Sequence, residues 1–240
     1  MPSDSAVWPQ ANHRILTVDD DLAISELLRS EFELAGYKVW SASSGQEALE
    51  ILETRGLPHL AVIDIMMPGM TGIELCARIQ EFIDLPIIML TGVSDTRTVV
   101  DTIRRLAEDY IVKPFEPAEV IVRVERLLRR IGDFSYAQEP RARIDDRLEI
   151  EFARQTAWVS GQPVVLTPTE NKLLYILMRN AGHTMLTGFL LRRLWPNEDV
   201  YEDTLRTHVY RLRKKIEASP RKPHYILTRR GFGYLFPKLS

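Results

Sequence analysis

Short apolar runs alternate with amphipathic stretches along the first 131 residues of the chain. The runs have the length of buried strands, and each one ends at a polar residue. Between the runs, apolar residues recur every three or four positions, the spacing of one helical face. Strands that alternate with helices favour a parallel sheet with helices on both faces. The five predicted strands are Ile15–Val18, Val39–Ala42, Leu60–Ile63, Pro86–Leu90 and Tyr110–Val112.

Four of these strands are followed directly by a residue capable of ionic or phosphate chemistry. Asp19 and Asp20 follow the first strand, and Asp64 follows the third; Thr91 and Lys113 follow the fourth and the fifth. In an open α/β sheet, ligands bind beyond the carboxyl ends of the strands, where the strand order reverses. The predicted fold therefore gathers these five side chains at one edge of the sheet.

Neighbouring carboxylates raise each other's pKa, and a hard divalent cation such as Mg²⁺ removes that cost. With Mg²⁺ bound, Asp64 can attack a phosphoryl group, while the cation and Lys113 offset the developing charge. The Thr91 hydroxyl can hydrogen-bond the phosphoryl oxygens. In a competing interpretation, Asp19–Asp21 are helix-capping acids, Asp64 is a turn residue and Lys113 is a surface charge. The coincidence at four strand ends favours the phosphoryl site.

The segment Ile15–Ile131 resembles the receiver domain of two-component response regulators. The matching motifs are Val18–Asp21, Val62–Gly72, Leu90–Gly92 and Asp109–Phe115. The resemblance implies a five-stranded, doubly wound flavodoxin-like fold in which Asp64 accepts phosphate from a sensor histidine kinase. It implies Mg²⁺ ligands at Asp19, Asp20, Asp64 and the Met66 carbonyl. It further implies a switch pair of Thr91 and Tyr110, and a cis peptide bond between Lys113 and Pro114.

Leu106 stands where the family usually has glycine, between the fourth helix and the fifth strand. Leucine does not readily adopt the left-handed conformation that glycine permits, so we expect this turn to differ. In related regulators, this surface and the fifth helix form the active dimer. The charged candidates for that interface, each of which could equally be a solvated residue, are Arg97, Glu108, Asp109, Glu116 and Arg123.

Residues 132–143 break the periodicity and are predicted to be a linker that lets two domains move. Short strands broken by turns follow between 144 and 166, and a helix begins near Leu166–Glu170. Two more helices are predicted at about 187–195 and 203–217. Residues 1–13 belong to neither domain; they are either a disordered tail or a segment that packs on the receiver.

The helix at 203–217 carries a core stripe of Leu205, Val209, Leu212 and Ile216. A helix fixed along that stripe can lie in the major groove of double-stranded DNA, where arginine contacts guanine edges and lysine contacts phosphates. A basic helix facing solvent is the alternative. The polar residues on the other faces are Arg206, Thr207, Tyr210, Arg211, Arg213 and Lys214.

Tyr225–Phe236 alternates apolar and polar residues around a glycine-bearing turn, which predicts a β-hairpin. Three helices followed by a basic hairpin resemble the winged helix-turn-helix α+β effector domain of the OmpR/PhoB class. The resemblance covers about 144–238, with motifs at Leu166–Glu170, His208–Lys215 and Arg230–Tyr234. It implies that the loop Trp195–Glu202 touches RNA polymerase. It also implies base contacts from Arg206, Thr207, Tyr210 and Arg211, backbone contacts from His208, Arg213 and Lys214, and a minor-groove contact from Arg230.

The charge distribution agrees with a nucleic-acid partner for the second half. Residues 1–131 hold 13 Lys and Arg against 21 Asp and Glu, a balance of −8. Residues 132–240 hold 18 against 12, a balance of +6. The single cysteine, Cys76, fits core packing in a reducing cytoplasm. No apolar run is long enough to span a bilayer and no signal peptide is visible, so we expect a cytoplasmic protein without a membrane partner.

We therefore interpret the chain as a DNA-binding response regulator and not as an enzyme. The expected parts are an N-terminal extension (1–13), a receiver (14–131), a linker (132–143) and a winged-helix domain (144–240). Phosphorylation of Asp64 would drive homodimerisation through the receiver and regulate transcription at a direct-repeat site.

Two other classes remain as alternatives. A haloacid-dehalogenase-like phosphatase would need a second aspartate two residues after the nucleophile, where this chain has Met66. A constitutive DNA-binding regulator would use the receiver only for dimerisation, independently of phosphorylation, and Leu106 leaves room for that alternative.

Overall fold

The computed structural model describes residues 13–92, 106–131, 140–196 and 198–238. They form an α/β domain in the first half of the chain and a winged-helix α+β domain in the second. The interface candidate Arg97, the extension up to residue 12 and the linker residues 132–139 lie outside these ranges. The predicted domain boundaries therefore stay predictions.

The first domain is built on a five-stranded parallel sheet, as the sequence predicted. The strand order is β2-β1-β3-β4-β5, so the winding direction reverses between β1 and β3. β1, β3 and β4 are buried along their whole length, which explains their continuous apolar runs. The strands are β1 (Arg14–Val18), β2 (Lys38–Ala42), β3 (Leu60–Asp64), β4 (Ile87–Thr91) and β5 (Asp109–Val112).

The helices of this domain that lie in the described ranges connect the strands. Asp21 is the N-cap of the first of them, and its carboxylate accepts hydrogen bonds from the backbone N–H groups of Ala23 (2.9 Å) and Ile24 (3.4 Å). The capping interpretation is thus correct for Asp21, whereas Asp19 Oδ1 accepts a hydrogen bond from the Asp21 backbone N–H at 2.9 Å. The helices are α1 (Leu22–Leu34), α2 (Gly45–Arg55), α3 (Gly72–Phe82) and α4 (Pro117–Ile131).

Cys76 lies fully buried on α3, as the apolar face of that helix predicted. Burial raises the pKa of its thiol to about 12, so the thiolate is almost absent at neutral pH. We expect iodoacetamide to leave Cys76 unmodified in the native chain and to label it fully in urea, as measured by intact-protein mass. Labelling of the native chain at the rate of a free thiol would contradict this burial.

Leu106 does not adopt the left-handed conformation that a glycine at this position could take. Leu106 is helical, and the non-glycine residues with positive φ in the described ranges are Gln155 and Ser160. The expectation that leucine excludes the left-handed conformation here is confirmed. The peptide bond between Lys113 and Pro114 is cis, as the family resemblance implied.

The second domain begins with a four-stranded antiparallel sheet of order β6-β7-β8-β9. The predicted turn at Ser160 and Gly161 connects β8 to β9, with φ angles of 51° and 77°. The short strands expected between 144 and 166 are therefore present. They are β7 (Leu148–Glu151), β8 (Thr156–Val159) and β9 (Gln162–Val165). The first strand of this sheet, β6 (Ala142–Arg143), instead lies in the last two residues of the segment that was predicted to be the linker.

Three helices follow: α5 (Pro168–Arg179), α6 (Thr187–Leu194) and α7 (Glu202–Ile216). A capping box starts α5. The Thr167 backbone N–H donates to the Glu170 carboxylate at 2.8 Å, and the Glu170 backbone N–H donates to the Thr167 hydroxyl at 3.3 Å. The bounds of α7 lie one residue earlier than the predicted 203–217. Its predicted core stripe is buried along its length, at Leu205, Val209, Leu212 and Ile216.

The predicted C-terminal hairpin consists of β11 (Leu227–Arg229) and β12 (Gly233–Leu235). A third strand that the sequence did not predict, β10 (Met185–Leu186), pairs antiparallel with β12. Gly233 is required at this crossing, because a Cβ there would lie 2.0 Å from the Met185 carbonyl oxygen. We call the hairpin of β11 and β12, with its turn, the wing.

Within the described residues, the structure contains no helix with the length and apolar character needed to cross a membrane.

Candidate functional site

Three carboxylates meet at the carboxyl edge of the parallel sheet, where the strand order reverses. Asp19 and Asp20 follow β1, and Asp64 ends the neighbouring strand β3; one oxygen of each lies within 4.8 Å of the others. Asp19 and Asp64 are buried, with 1% and 5% of their surface exposed, whereas Asp20 faces solvent. The structure thus brings together the acidic residues that the sequence placed at one edge.

Lys113 completes this cluster from the end of β5. Its Nζ lies 2.9 Å from Asp19 Oδ2 and 2.9 Å from Asp64 Oδ1. Burial lowers the pKa of Lys113, but its hydrogen bonds with the two carboxylates outweigh that effect and raise it. Lys113 therefore stays positively charged at neutral pH.

Asp64 is held in an environment that disfavours its negative charge. Burial raises its pKa most strongly, the Lys113 ammonium opposes that rise, and Asp19 and Asp20 add to it, so that the net pKa is raised. Three carboxylates with one ammonium leave an excess of negative charge. An oxygen-binding divalent cation such as Mg²⁺ fits this donor set, because it would remove the repulsion.

The other residues of the predicted phosphoryl site lie on the same edge or beside it. Thr91 ends β4, is 4% exposed and donates its hydroxyl to the Gly92 carbonyl oxygen at 3.2 Å. Met66, whose carbonyl was a predicted metal ligand, follows β3 with its side chain 71% exposed. Tyr110 is half-buried on the edge strand β5. These positions agree with the predicted roles without testing them.

The predicted dimer surface carries an ion-pair cluster within the single chain. Arg123 on α4 contacts Asp109 at 2.8 Å and Glu119 at 2.8 Å. Glu119 was not among the predicted residues, although its position four residues before Arg123 is the usual spacing of a helical ion pair. Of the remaining candidates within the described ranges, Glu108 is half-buried and Glu116 is exposed.

Arginines from the start of α7 and from the wing line one groove. A groove of about 460 Å³ separates the start of α7 from the wing, with Arg206, Arg229 and Arg230 among its lining residues. The predicted DNA-contacting residues that are exposed are Arg206, Thr207, Tyr210, Arg211, Lys214 and Arg230.

Arg206 has carboxylate partners that the sequence analysis missed. Its guanidinium lies 3.0 Å from Glu202 and 3.2 Å from Asp203, in the first turn of α7. Both spacings, four and three residues, are standard for helical ion pairs and could have been found from the sequence. The two acids also lie at the helix N-terminus, where negative charge is favourable.

Two of the predicted DNA contacts, His208 and Arg213, also contact other side chains or backbone of the second domain. The ring of His208 packs against the Trp195 ring with 5.2 Å between centroids, and burial, reinforced by Arg211, lowers the pKa of His208. Arg213 is half-buried and donates hydrogen bonds to the Ile226 carbonyl oxygen and the Thr228 hydroxyl. Both residues are half-buried, in contrast to the exposed residues of the same helix, and their contacts with DNA stay predictions.

Comparison with known proteins agrees with both halves of the architecture. Residues 15–125 match the response regulator receiver domain, and residues 161–236 match the C-terminal domain of transcriptional regulatory proteins. The chain is 36% identical to a probable transcriptional regulator, ycf27, of Porphyridium aerugineum, over 95% of this chain and 97% of the relative. It is 37% identical to PhoP of Bacillus subtilis, an alkaline phosphatase synthesis transcriptional regulatory protein, over 95% of this chain and 99% of PhoP.

Among solved structures, the response regulator DrrB of Thermotoga maritima, an OmpR/PhoB homologue, is 30% identical to this chain. The match covers 94% of this chain and 99% of DrrB, with a TM-score of 0.44. The full-length sequence matches show that this chain belongs to the transcriptional response regulators. This chain is a member of the OmpR/PhoB class, in which a receiver domain precedes a winged-helix DNA-binding domain.

Proposed function

We propose that Asp64 accepts a phosphoryl group from a sensor histidine kinase in the cytoplasm, and that this controls DNA binding by the second domain. The observation that carries the proposal is the geometry around Asp64. Its carboxylate is buried beside Asp19, and the Lys113 ammonium lies 2.9 Å from both side chains. A buried nucleophile with a fixed cation beside it suits transfer of a charged group.

The roles of the site residues follow from their positions. Asp19, Asp20 and Asp64, with the Met66 carbonyl, would hold Mg²⁺, which supplies positive charge for the incoming phosphoryl oxygens. Lys113 would follow the phosphoryl group as its negative charge develops, since its Nζ already contacts Asp64. The Thr91 hydroxyl would exchange the Gly92 carbonyl for a phosphoryl oxygen, and Tyr110 would move with it as the switch partner.

Phosphorylation would then favour a homodimer through the receiver. The charged surface residues Arg97, Glu108, Asp109, Glu116 and Arg123 would contribute to that interface. Arg123 would exchange its own Asp109 for the same residue of a second chain, since an exposed ion pair gains only about 0–1 kcal/mol within one chain. The dimer would place two winged helices on a direct-repeat site and the loop Trp195–Glu202 against RNA polymerase. The protein would regulate transcription and turn over no substrate.

The test is DNA binding and oligomeric state of the full chain, with and without beryllofluoride and Mg²⁺. We expect the mimic to shift the chain from monomer to dimer and to tighten binding to a duplex enriched from a random pool. If the oligomeric state and the DNA affinity stay unchanged when the mimic is bound, the chain is instead a constitutive regulator. Leu106 would then be the first residue to examine.

Replacing Arg211 with Ala should relax base preference, because its exposed guanidinium would contact a base edge in the proposed complex. We expect a loss of about 1–3 kcal/mol on the preferred duplex and a smaller loss on a mixed-sequence duplex. Fluorescence anisotropy on the two duplexes measures the difference.

Lys214→Ala is the matched control on the same helix. It should weaken binding to both duplexes by the same factor. It should also reduce the slope of log K against log[salt] by about one, because one phosphate contact is lost. If Arg211→Ala loses the same binding free energy on both duplexes, Arg211 contacts the phosphate backbone and not a base.

A further inference from the structure

The last turn of α7 is bonded to the chain segment that enters the wing. Arg213 donates from Nε and Nη2 to the Ile226 carbonyl oxygen at 3.0 and 2.5 Å, and from Nη2 to Thr228 Oγ1 at 2.8 Å. The guanidinium also lies over the Tyr234 ring of β12, 6.0 Å from its centroid. One arginine side chain therefore contacts both strands of the wing.

Glu217, four residues after Arg213, holds the same segment from its other side. Its carboxylate is buried, with 6% of the residue exposed, and accepts hydrogen bonds from three consecutive backbone N–H groups. Oε1 accepts from Tyr225 and Ile226 at 2.9 and 2.8 Å, and Oε2 accepts from His224 at 2.7 Å. The N–H and the carbonyl of Ile226 are thus both bound by side chains of one helical turn.

The hydrogen bonds of Arg213 and Glu217 are stronger than the same number of neutral hydrogen bonds. Each involves an ionised side chain, and such hydrogen bonds are roughly twice as strong as neutral ones. Between Ile226 and the wing arginine Arg230 lies only the three-residue strand β11. Fixing the backbone at Ile226 and the side chain at Thr228 therefore fixes the base from which Arg230 extends.

We propose that Arg213 and Glu217 are positioning residues that lock the wing to α7, so that the helix and Arg230 engage DNA as one rigid body. The proposal rests on the DNA-binding function proposed above. It replaces the expectation that Arg213 contacts the phosphate backbone, since the half-buried guanidinium is engaged by the wing itself.

Substitutions that change or keep the charge distinguish the positioning role from a direct contact with DNA. A lysine at position 213 keeps the positive charge that a phosphate contact needs, but it loses the planar fork that spans Ile226 and Thr228. Neutralising Glu217 removes a negative charge from a DNA-binding domain, so simple electrostatics predicts tighter binding. The positioning role predicts weaker binding for both changes.

The experiment is a set of double-mutant cycles with Arg230→Ala in the full chain, with beryllofluoride and Mg²⁺ present. The probe is a fluorescein-labelled duplex enriched from a random pool by the wild-type chain. We expect Arg213→Lys and Glu217→Gln each to weaken binding about ten-fold in the wild-type background. In the Arg230→Ala background each should weaken it less than about two-fold, because the contact they position is already gone.

Lys214→Ala is the control, and it should cost the same factor in both backgrounds. A variant that has merely lost its fold would also lose the same factor in both, and thermal unfolding identifies it independently. Wild-type affinity for Arg213→Lys, tighter binding by Glu217→Gln, or additivity with Arg230→Ala would each overturn the positioning role. If the wild-type chain enriches no duplex at all, the proposed DNA-binding function itself has failed.

Discussion

Asp64→Asn should abolish phosphoryl transfer to this chain and with it the phosphorylation-dependent gain in DNA affinity. An amide is neutral and a poor nucleophile, so the bond to phosphorus cannot form even though the side chain keeps its shape. The lost coupling between the two domains should amount to about 1–3 kcal/mol, the usual range for such linkage. Intact-protein mass after incubation with a small-molecule phosphoryl donor and Mg²⁺ measures the first effect, and anisotropy measures the second.

Asp21→Asn is the matched control for this change. It removes one negative charge from the same acidic run, but Asp21 caps α1 through Ala23 and Ile24. Asparagine is an equally good N-cap, so we expect normal phosphorylation and a free energy of unfolding within about 0.5 kcal/mol of wild type. Phosphorylation of Asp64→Asn at the wild-type level would show that another residue is the acceptor.

The acidic site could be predicted from the sequence because two simple rules locate it. Apolar runs mark the strands, and the carboxyl ends of parallel strands meet at one edge of the sheet. Asp19, Asp64 and Lys113 are up to 94 residues apart along the chain, yet the sheet order alone brings them within hydrogen-bonding distance. Helix capping, the alternative interpretation of this acidic run, applies to Asp21.

The direction of side chains on α7 was harder to predict. His208 and Arg213 both flank the apolar stripe, since each lies three or four residues from a buried member of it. Periodicity could therefore have indicated that they are half-buried. The partners of Arg213 could not be predicted this way, because Ile226 lies 13 residues along the chain and beyond the helix.

Strand β10 was missed for a different reason. It contains two residues, Met185 and Leu186, which is too short for any alternation to appear. Its place in the sheet is set by pairing with β12, where Gly233 allows close approach to Met185. Such a strand exists only because a tertiary partner supplies its hydrogen bonds.

Gly72→Ala should strongly destabilise the first domain and disturb the phosphoryl site. A Cβ at Gly72 would lie 2.0 Å from the Asp64 carbonyl oxygen and 2.8 Å from its carbonyl carbon. The Gly72 N–H also donates a hydrogen bond to the Ile65 carbonyl oxygen at 3.0 Å, so α3 cannot move away without breaking that bond. We expect the free energy of unfolding to fall by about 3 kcal/mol, measured by urea titration followed by circular dichroism. Phosphorylation of Asp64 should slow in the same variant.

Gly92→Ala tests whether the effect of Gly72→Ala arises from the clash rather than from glycine chemistry in general. Gly92 follows Thr91 at the neighbouring strand end, but a Cβ there meets no atom of the described residues within 4 Å, and its φ lies outside the left-handed range. The free energy of unfolding should therefore stay within about 0.5 kcal/mol of wild type. Equal stability of the two variants would mean that the backbone at Asp64 yields easily. The precise placement of Asp64 beside Lys113 would then depend on the side-chain ion pairs more than on the packing of α3 against the end of β3.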